Sequence, residues 1–375
     1  MAMRLLVPVL CLLIAACASG ESQPSVCDTP GAICTWAGID RPGKTGDGER
    51  PHEATLYFPM DVAFHTDGTP YIVDWNNHRI RSVSGGLMTT VVGTGIEGDL
   101  TFGPATESMI DNPTSVAVDA QGRVTIAAWH NSYIVRYDPK SGELERICGD
   151  GSRTYVGEDG PALDSTTDLP SGVAFDHEGR LLIVDQANQR IRRIGTDGVI
   201  TSLVGTGEPG YGGDDGPATE AQIHNPVGQT ALPAGRVVAA PDGTLFFADT
   251  GNHRVRRISP DGIITTLAGT GSPGFSGEGT VAAEAQLNEP RDVEVDEQGR
   301  VYIADASNHC VRVVDQEGLI HTFAGQCGLR GDLGDGGDAL EAKLDRPYGL
   351  AFDPWGRLFV VDTYNHRIRV VAPLD

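Results

Sequence analysis

Hydrophobic and polar residues alternate along most of the chain in short runs, and the same arrangement returns about every 57 residues. Alternation with a period of two is typical of half-buried β-strands. Each repeated unit begins at a proline and contains four such runs, which are separated by turns rich in glycine, aspartate and asparagine. The pattern therefore predicts six similar β units, which begin at Pro59, Pro113, Pro170, Pro226, Pro290 and Pro347.

The unit that begins at Pro290 shows how the strands follow one another. Its first strand ends at Asp296, and an Asp-x-x-Gly turn follows in which Gly299 supplies the positive φ of a tight hairpin. The third strand alternates apolar and basic residues, and a Gly-containing turn leads to the fourth. Six sets of four short antiparallel strands are typical of a propeller. We predict an all-β fold, a six-bladed β-propeller of four-stranded antiparallel blades over residues 34–375.

The last unit ends after its third strand, near Val371, whereas residues 34–38 precede the first unit and have the pattern of a fourth strand. We expect this N-terminal strand to complete the last blade and close the ring. Closure of this kind removes both open sheet edges.

An Asp-x-x-Asn-His-Arg motif lies between the second and third strands of most units. On this motif the chain resembles the NHL-repeat family, named for Asn-His-Leu, although other residues stand here in place of the leucine. The resemblance implies the propeller fold and says little about function. The motif residues are Asp74, Asn77, His78, Arg79, Asp185, Asn188, Asp249, Asn252, His253, Arg254, Asp305, Asn308, His309, Asp362, Asn365, His366 and Arg367.

We interpret this motif as structural, because an active site is a single constellation whereas the motif recurs around the ring. Its Asp and Asn side chains suit hydrogen bonds to loop backbone, and its Arg suits an ion pair with an Asp of the same or the next blade. The motif histidines are not expected to share a metal ion, because packed sheets lie about 10 Å apart.

Acidic, glycine-rich linkers join the units, as in residues 213–216 and 332–338. One interpretation is a turn followed by a single helical turn with an acidic or proline start. The other is a calcium site, since carboxylates and carbonyls on glycine loops suit a hard cation. The spacing matches no known calcium loop, so we predict no cofactor and keep calcium as the alternative.

Departures from the repeat mark candidate binding positions on the face that carries these loops. Residues just after each proline should line the channel mouth, blade two replaces the motif with an aromatic sequence that we expect to be exposed, and blade four carries about seven extra residues. The candidates are Asp61, Ser115, Trp129, His130, Tyr133, Gln229, Arg291, Asp292 and Tyr348.

The cysteines suggest an oxidising compartment. Cys310 begins a third strand and Cys327 follows the fourth strand of the same unit, so the two should form a disulfide. Cys27 and Cys34 flank a short loop and can also pair, whereas Cys148 occupies a position held by alanine in other units.

Residues 1–16 have the pattern of a secretory signal, with a basic start and an apolar run too short to span a membrane. Residues 14–17, Ile-Ala-Ala-Cys, resemble a bacterial lipobox, which implies lipidation of Cys17 and a flexible tether over residues 17–33. We therefore expect a lipid-anchored protein on a bacterial membrane surface, at the outer membrane or in the periplasm. The net charge of −23 excludes nucleic acid as a partner.

The leading functional hypothesis is a non-catalytic module that binds a protein, peptide or glycan, because no Gly-x-Ser-x-Gly, His-Glu-x-x-His or P-loop motif occurs. The alternative is a calcium-dependent enzyme that resembles propeller lactonases or lyases and uses the channel mouth, where Asp61 and Asp292 are candidate ligands. In the amidating lyase of the broader propeller superfamily that this chain resembles, zinc-binding histidines follow the unit prolines. No histidine stands at those positions here, so the resemblance does not extend to zinc lyase chemistry.

Overall fold

Six antiparallel sheets follow one another along the chain in the computed structural model, which describes residues 27, 29–228 and 231–373. The innermost strand of each sheet, which begins at or after the unit proline, contacts the innermost strand of the next sheet. The innermost strand of the sixth sheet contacts the innermost strand of the first. The sheets are therefore the blades of a closed ring. The predicted all-β six-bladed propeller is confirmed.

The strands, in chain order, are β1 (Ala32–Ala37); in blade one β2 (Pro59–Phe64), β3 (Pro70–Asp74), β4 (Arg79–Ser84) and β5 (Leu87–Val92); in blade two β6 (Gly103–Pro104), β7 (Pro113–Val118), β8 (Val124–Ala128), β9 (Tyr133–Asp138) and β10 (Glu143–Cys148); in blade three β11 (Gly160–Pro161), β12 (Pro170–Phe175), β13 (Leu181–Asp185), β14 (Arg190–Ile194) and β15 (Val199–Val204); in blade four β16 (Gly216–Pro217), β17 (Val237–Ala239), β18 (Leu245–Asp249), β19 (Arg254–Ile258) and β20 (Ile263–Ala268); in blade five β21 (Thr280–Val281), β22 (Pro290–Val295), β23 (Val301–Asp305), β24 (Cys310–Val314) and β25 (Leu319–Ala324); and in blade six β26 (Gly337–Asp338), β27 (Pro347–Phe352), β28 (Leu358–Asp362) and β29 (Arg367–Val371).

The N-terminal strand β1 lies in the sixth sheet, hydrogen-bonded to β29 on one side and to β26 on the other. Its register pairs Ile33 with Val371 and Cys34 with Val370. Five of the six sheets have five strands where the sequence predicted four. The fifth is a two-residue outer strand from the linker, which is too short to produce a recognisable hydrophobic alternation.

Short 3₁₀ turns are the only helical elements in the described residues, and they lie in the linkers and in the loops between second and third strands. They span Pro51–Glu53, Trp75–Asn77, Ala105–Glu107, Ala162–Asp164, Ala218–Glu220, Thr250–Asn252, Ala282–Glu284, Ala306–Asn308, Ala339–Glu341 and Thr363–Asn365. Within the described part of the chain, no helix has both the length and the apolar character needed to cross a bilayer.

The core consists of clusters in which apolar side chains of one blade pack against the next blade. Val255 and Ala268 of blade four, for example, pack with Val293 and Ile303 of blade five. Each fully buried valine or isoleucine contributes about 1.5–3 kcal/mol to folding. Contacts between blades therefore supply much of the stability, and the inner strands β2, β7, β12, β17, β22 and β27 surround a central channel.

Candidate functional site

The motif aspartate fixes the loop between the second and third strands. Asp74 Oδ1 accepts from the Tyr57 backbone N–H at 2.8 Å, and its Oδ2 accepts from Asn77 Nδ2 at 2.8 Å. Asn77 Nδ2 also donates to the linker carbonyl of Gly43 at 2.6 Å. Blades three to six repeat these contacts through Asp185, Asp249, Asp305 and Asp362. Burial raises the pKa of Asp74 to about 6 and that of Asp305 to about 7.

The motif histidine joins each blade to the next one. His366 Nδ1 of blade six accepts from the Phe58 backbone N–H of blade one at 3.2 Å, and His78 accepts in the same way from Asn112. His253 and His309 accept from Glu289 and Arg346. In the two blades that lack the histidine, Ser132 accepts from Leu169 and Gln189 accepts from Asn225. Every junction therefore has one side-chain acceptor for this backbone N–H.

We expected the motif arginine to form ion pairs with aspartates. Most of these ion pairs are made instead by a buried arginine two residues further along the third strand. Arg256 lies 3.1 Å from Asp249 of its own loop and 2.5 Å from Asp214 of the linker. Arg81, Arg192, Arg312 and Arg369 make the corresponding linker contacts with Asp47, Glu158, Glu278 and Asp335. Guanidinium groups thus neutralise the linker carboxylates that the calcium hypothesis used.

Arg236 crosses the central channel at the level of the third residue of each inner strand. Its Nη1 donates to Asp61 Oδ1 at 3.0 Å and to Asp292 Oδ2 at 2.9 Å. Its Nη2 donates to the carbonyls of Met60 and Thr114 at 2.6 and 2.8 Å. One side chain of blade four therefore contacts blades one, two and five. Burial raises the pKa of both carboxyl groups above the usual range, and the Arg236 charge opposes that rise.

The channel-facing acids also join the inner strands of neighbouring blades. Asp61 Oδ2 accepts from the backbone N–H of Val116 at 2.9 Å, and Asp292 Oδ2 accepts from that of Leu350 at 2.8 Å. Ser115 Oγ accepts from Val173 N–H in the same way. These side chains satisfy donors on the open edge of the next inner strand, where an unpaired buried N–H would be costly.

The extra residues of blade four lie above Arg236. Gln186 Nε2 donates to the carbonyl of Pro226 at 2.6 Å and to that of Leu232 at 3.2 Å, and its Oε1 accepts from Ala234 N–H at 3.0 Å. Arg291 donates to the carbonyl of Pro233. The described part of this insert is therefore held by blades three and five at the channel mouth, on the face that carries the linkers, which we call the top face.

A cavity of about 260 Å³ lies in the channel on the other side of Arg236. Its walls include Ala63, Ala117, Ala174, Val238 and Ala351, which occupy equivalent positions of five inner strands. The sixth position is Glu294, which lines the same cavity. Burial raises the pKa of Glu294 well above its usual value, and the charges of Asp292 and Asp61 add to the effect.

Aromatic rings form a continuous group on the top face of blades six, one and two. Phe58 lies 4.9 Å from Tyr364 and 6.4 Å from Trp75 between ring centroids, and Trp129 stacks on His130 at 4.4 Å. We call this group the aromatic cluster, and its members are Tyr57, Phe58, Trp75, Trp129, His130, Tyr348 and Tyr364. Two buried polar atoms in it, Trp75 Nε1 and Tyr348 Oη, have no hydrogen-bond partner among the described residues.

The structure separates the predicted binding residues into distinct environments. Five of them are buried at the channel mouth: Asp61, Ser115, Arg291, Asp292 and Tyr348. The expected exposure of Trp129 is wrong: the residue is 4% exposed, and its indole Nε1 donates to Gln186 Oε1 of blade three at 3.1 Å. His130 is exposed and Tyr133 is half-buried. Gln229, Cys17 and the signal segment lie outside the described residues.

The structure pairs Cys310 with Cys327 and Cys27 with Cys34, and Cys148 is a buried free thiol. Sequence reasoning missed Arg236, Gln186 and Glu294. The insert after Pro226 shifts the register of blade four relative to that proline. Counting backward from the turn at Gly243 places Arg236 level with Asp292, which is the signal that identifies it.

Comparisons with known proteins agree with this fold. The family model described as Teneurin NHL domain matches residues 270–333, and the one described as NHL repeat matches residues 344–371. The chain is 28% identical over 299 residues to NHL repeat-containing protein 2 of Bos taurus, covering 71% of this chain and 40% of the relative. The chain is therefore a six-bladed β-propeller whose residues 344–371 match the NHL repeat.

Two further relatives are much longer than this chain. Teneurin-1 of Homo sapiens is 26% identical over 345 residues, which are 86% of this chain and 12% of the relative. Protein SUPPRESSOR OF QUENCHING 1, chloroplastic, of Arabidopsis thaliana is 27% identical over 278 residues, which are 70% of this chain and 25% of the relative. The chain thus matches less than half of each of the three relatives.

Solved structures with very different names share the architecture. An auxiliary nutrient binding protein from Bacteroides ovatus superposes with a TM-score of 0.64 at 17% identity, covering 92% of this chain and 77% of that chain. A streptogramin B lyase has a TM-score of 0.52 at 13% identity, with coverage of 87% and 96%. A putative gluconolactonase has 0.53 at 13%, with coverage of 89% and 94%. At such identities the likeness shows the fold alone.

Proposed function

We propose that this protein is a non-catalytic, lipid-anchored binding module on a bacterial membrane surface that takes a glycan or a peptide of a protein partner at the aromatic cluster. The observation that carries the proposal is the combination of half-buried rings with unpaired polar groups. Binding sites commonly combine apolar and aromatic walls with a few polar groups that orient the ligand. Trp75 Nε1 is a hydrogen-bond donor and Tyr348 Oη is both donor and acceptor.

The position of the cluster supports this proposal. It lies beside the insert of blade four, which packs through Leu232 against the same group of residues. Tyr57, Phe58, Trp75 and Tyr364 are half-buried, so each ring keeps a surface for contact with a ligand. Aromatic side chains bring a large apolar area at a low cost in conformational entropy, and they are enriched at recognition surfaces. Structural neighbours named as auxiliary nutrient binding proteins agree with a binding role.

The channel mouth offers less support for the enzymatic alternative. The calcium hypothesis needs Asp61 and Asp292, and Arg236 places a cationic guanidinium between their carboxylates. Each acid also accepts two backbone N–H groups, so three of its roughly four acceptor sites are already occupied. A rise in Tm on adding calcium that Asp292→Asn abolishes would favour the enzyme over the binding module.

The test of the binding module uses arrays of immobilised oligosaccharides and of short peptides, probed with the full chain in detergent. Tyr364→Ala and Tyr57→Ala should weaken capture by the arrays about tenfold or more, a loss of about 1.4 kcal/mol or more, since these residues supply contact area. Trp355→Ala is the matched control, because Trp355 is an aromatic residue 54% exposed in the turn after β27, at the opposite end of the strands. Equal capture by all variants, or no capture on either array, would contradict the proposal.

Lipid anchoring needs its own test because Cys17 lies outside the described residues. Cys17→Ser should move the protein from the membrane fraction to the soluble fraction, because the lipidated sulfur is lost. Retention of the variant in the membrane fraction would contradict the anchor without bearing on the aromatic cluster.

A further inference from the structure

The six junctions between blades carry different charges around the same backbone geometry. Three positions define each junction. The first is the side chain that accepts the backbone N–H of the next blade, and the third is the residue two positions before the proline of that blade. The second lies in the linker, directly before the glycine or threonine whose carbonyl accepts from an asparagine of the loop between second and third strands. In order, the triplets are His78, Glu97 and Asp111; Ser132, Arg153 and Asp168; Gln189, Pro209 and His224; His253, Pro273 and Asn288; His309, Arg330 and Asp345; and His366, Pro42 and Tyr57.

Three junctions have an aspartate at the third position, and two of them pair it with an arginine in the linker. Burial raises the pKa of Asp168, and the positive charge of Arg153 opposes that rise. Arg330 is one of the charges that act on His309, beside Asp345. The junction of blades one and two has Glu97 where those two have arginine. It therefore holds two carboxylates close together and has no arginine at the linker position that carries one in those two junctions.

The side chains of this junction have the chemistry of metal ligands. One ligand atom each from His78, Glu97 and Asp111 lie within 4.8 Å of one another. His78 Nδ1 is 3.3 Å from Asp111 Oδ1, and His130 Nδ1 approaches the other carboxylate oxygen at 3.6 Å. Asp111 Oδ1 is buried and accepts no hydrogen bond within the described residues. An ionised oxygen of this kind is costly unless a cation or a donor faces it.

We propose that His78, Glu97, Asp111 and His130 bind one divalent transition-metal ion on the top face between blades one and two. Imidazole together with carboxylate ligands suits zinc, cobalt or nickel, whereas calcium and magnesium prefer oxygen ligands alone. Asp111 lies between the two histidines, so the ion neutralises both acids and joins the loops of two blades. The Nδ1 of His78 holds the Asn112 N–H, which leaves the other ring nitrogen, Nε2, for the ion.

The decisive experiment measures binding of the metal alone to the full chain, purified in detergent through a tag without histidine and stripped with a chelator. Cobalt is the first probe, because its visible absorption reports nitrogen and oxygen ligands directly. Zinc titration by calorimetry then gives the stoichiometry, and Tm is recorded with and without zinc. We expect one equivalent per chain and a rise in Tm, because an ion bound only to the folded state stabilises it by mass action.

Glu97→Arg is the most informative variant, because it gives this junction the linker arginine found in the junctions of Arg153 and Arg330. It should fold with an unchanged or higher Tm without metal, and it should lose zinc affinity by at least about tenfold. Asp111→Asn and His130→Ala should also weaken binding. His321→Ala is the matched control, since His321 lies 3.6 Å from Glu278 and 3.1 Å from Asp315 on blade five and should leave binding unchanged.

Two results would overturn the site. One is a chain that shows neither cobalt absorption nor a zinc-dependent rise in Tm. The other is equal zinc affinity in Glu97→Arg and the native chain, which would place the ion elsewhere.

Discussion

Arg236 Nη1 donates to Asp61 Oδ1 at 3.0 Å across the central channel, although the two residues are 175 positions apart in the sequence. The same nitrogen binds Asp292, so one cation contacts two buried carboxyl groups, from blades one and five. Two glycines make room for it. A Cβ added to Gly349 would lie 3.0 Å from Arg236 Nη1 and 2.6 Å from the Met60 carbonyl, and one added to Gly172 would lie 3.4 Å from Arg236 Cγ.

Arg236→Met should lower the free energy of unfolding by about 3–5 kcal/mol at pH 8, since removal of one partner leaves buried acids uncompensated. Burial raises the pKa of Asp61 and Asp292, so both acids take up protons as the pH falls and the penalty should be smaller at pH 5. Urea unfolding at the two pH values measures the difference.

The control for Arg236 is a variant with all three groups neutral, Arg236→Met with Asp61→Asn and Asp292→Asn. It should recover most of the lost stability, because no unpaired charge remains. A destabilisation that is the same at both pH values, and that the triple variant does not relieve, would mean that shape rather than charge makes Arg236 important.

Replacing the junction histidines by glutamine should reduce the loss of stability that the protein shows as the pH is lowered. Burial lowers the pKa of His253, His309 and His366 below the usual 6.5. These histidines therefore bind protons more readily in the unfolded chain than in the folded one. Their contribution to the free energy of unfolding is present above pH 6.5 and is lost as the pH falls through their pKa values in the folded chain. Gln189 already makes the same hydrogen bond in blade three without titrating.

Thermal unfolding of the native chain and of the triple variant His253→Gln, His309→Gln and His366→Gln at pH 7.5 and pH 5.5 tests this. The variant should lose fewer degrees between the two pH values. Identical losses in the two proteins would show that other groups cause the acid sensitivity.

Glu294→Ala should raise Tm at neutral pH, because it restores the small side chain found at this position in the other inner strands. The folded-state pKa of Glu294 lies well above its usual value. The contribution of Glu294 to the free energy of unfolding is therefore greatest below the pKa that its side chain has in the unfolded chain. This contribution is lost as the pH rises through the pKa of Glu294 in the folded chain. The gain in Tm should be larger at pH 8 than at pH 5, and Glu294→Gln serves as a control of similar size. A lower Tm at pH 8 would indicate that the carboxylate makes a stabilising contact in the channel.

Removing the Cys310–Cys327 disulfide, with Cys310→Ala and Cys327→Ala together, should cost about 2–4 kcal/mol, because the bond closes a loop of 17 residues in the unfolded chain. Cys148 is the internal control: burial raises the pKa of its thiol to about 12, so it should react with thiol reagents only after unfolding. Rapid labelling of Cys310 or Cys327 in the native chain without reductant would contradict the pairing.

The repeats made the architecture accessible from sequence. Alternation, the turn at Gly299 and the motif at His309 are local signals, and six copies of them specify strands, blades and ring. The contacts of the candidate sites were not accessible in the same way. Trp129 looked like an exposed aromatic because nothing near it in sequence reveals Gln186, its partner in the next blade. Arg236 was hidden by the insert, which shifted the register of blade four.

The sequence by itself therefore determined the local structures and their number, because a strand, a turn or a repeated motif depends on residues a few positions apart. The tertiary structure decided which of six equivalent positions in the blades makes contacts that the other five do not make. The ring brings Arg236 to Asp61 and Asp292, and the packing of blade one against blade two brings His78 and His130 to Asp111. Those encounters depend on distances across blades, so they follow from packing and charge in three dimensions rather than from any pattern along the chain.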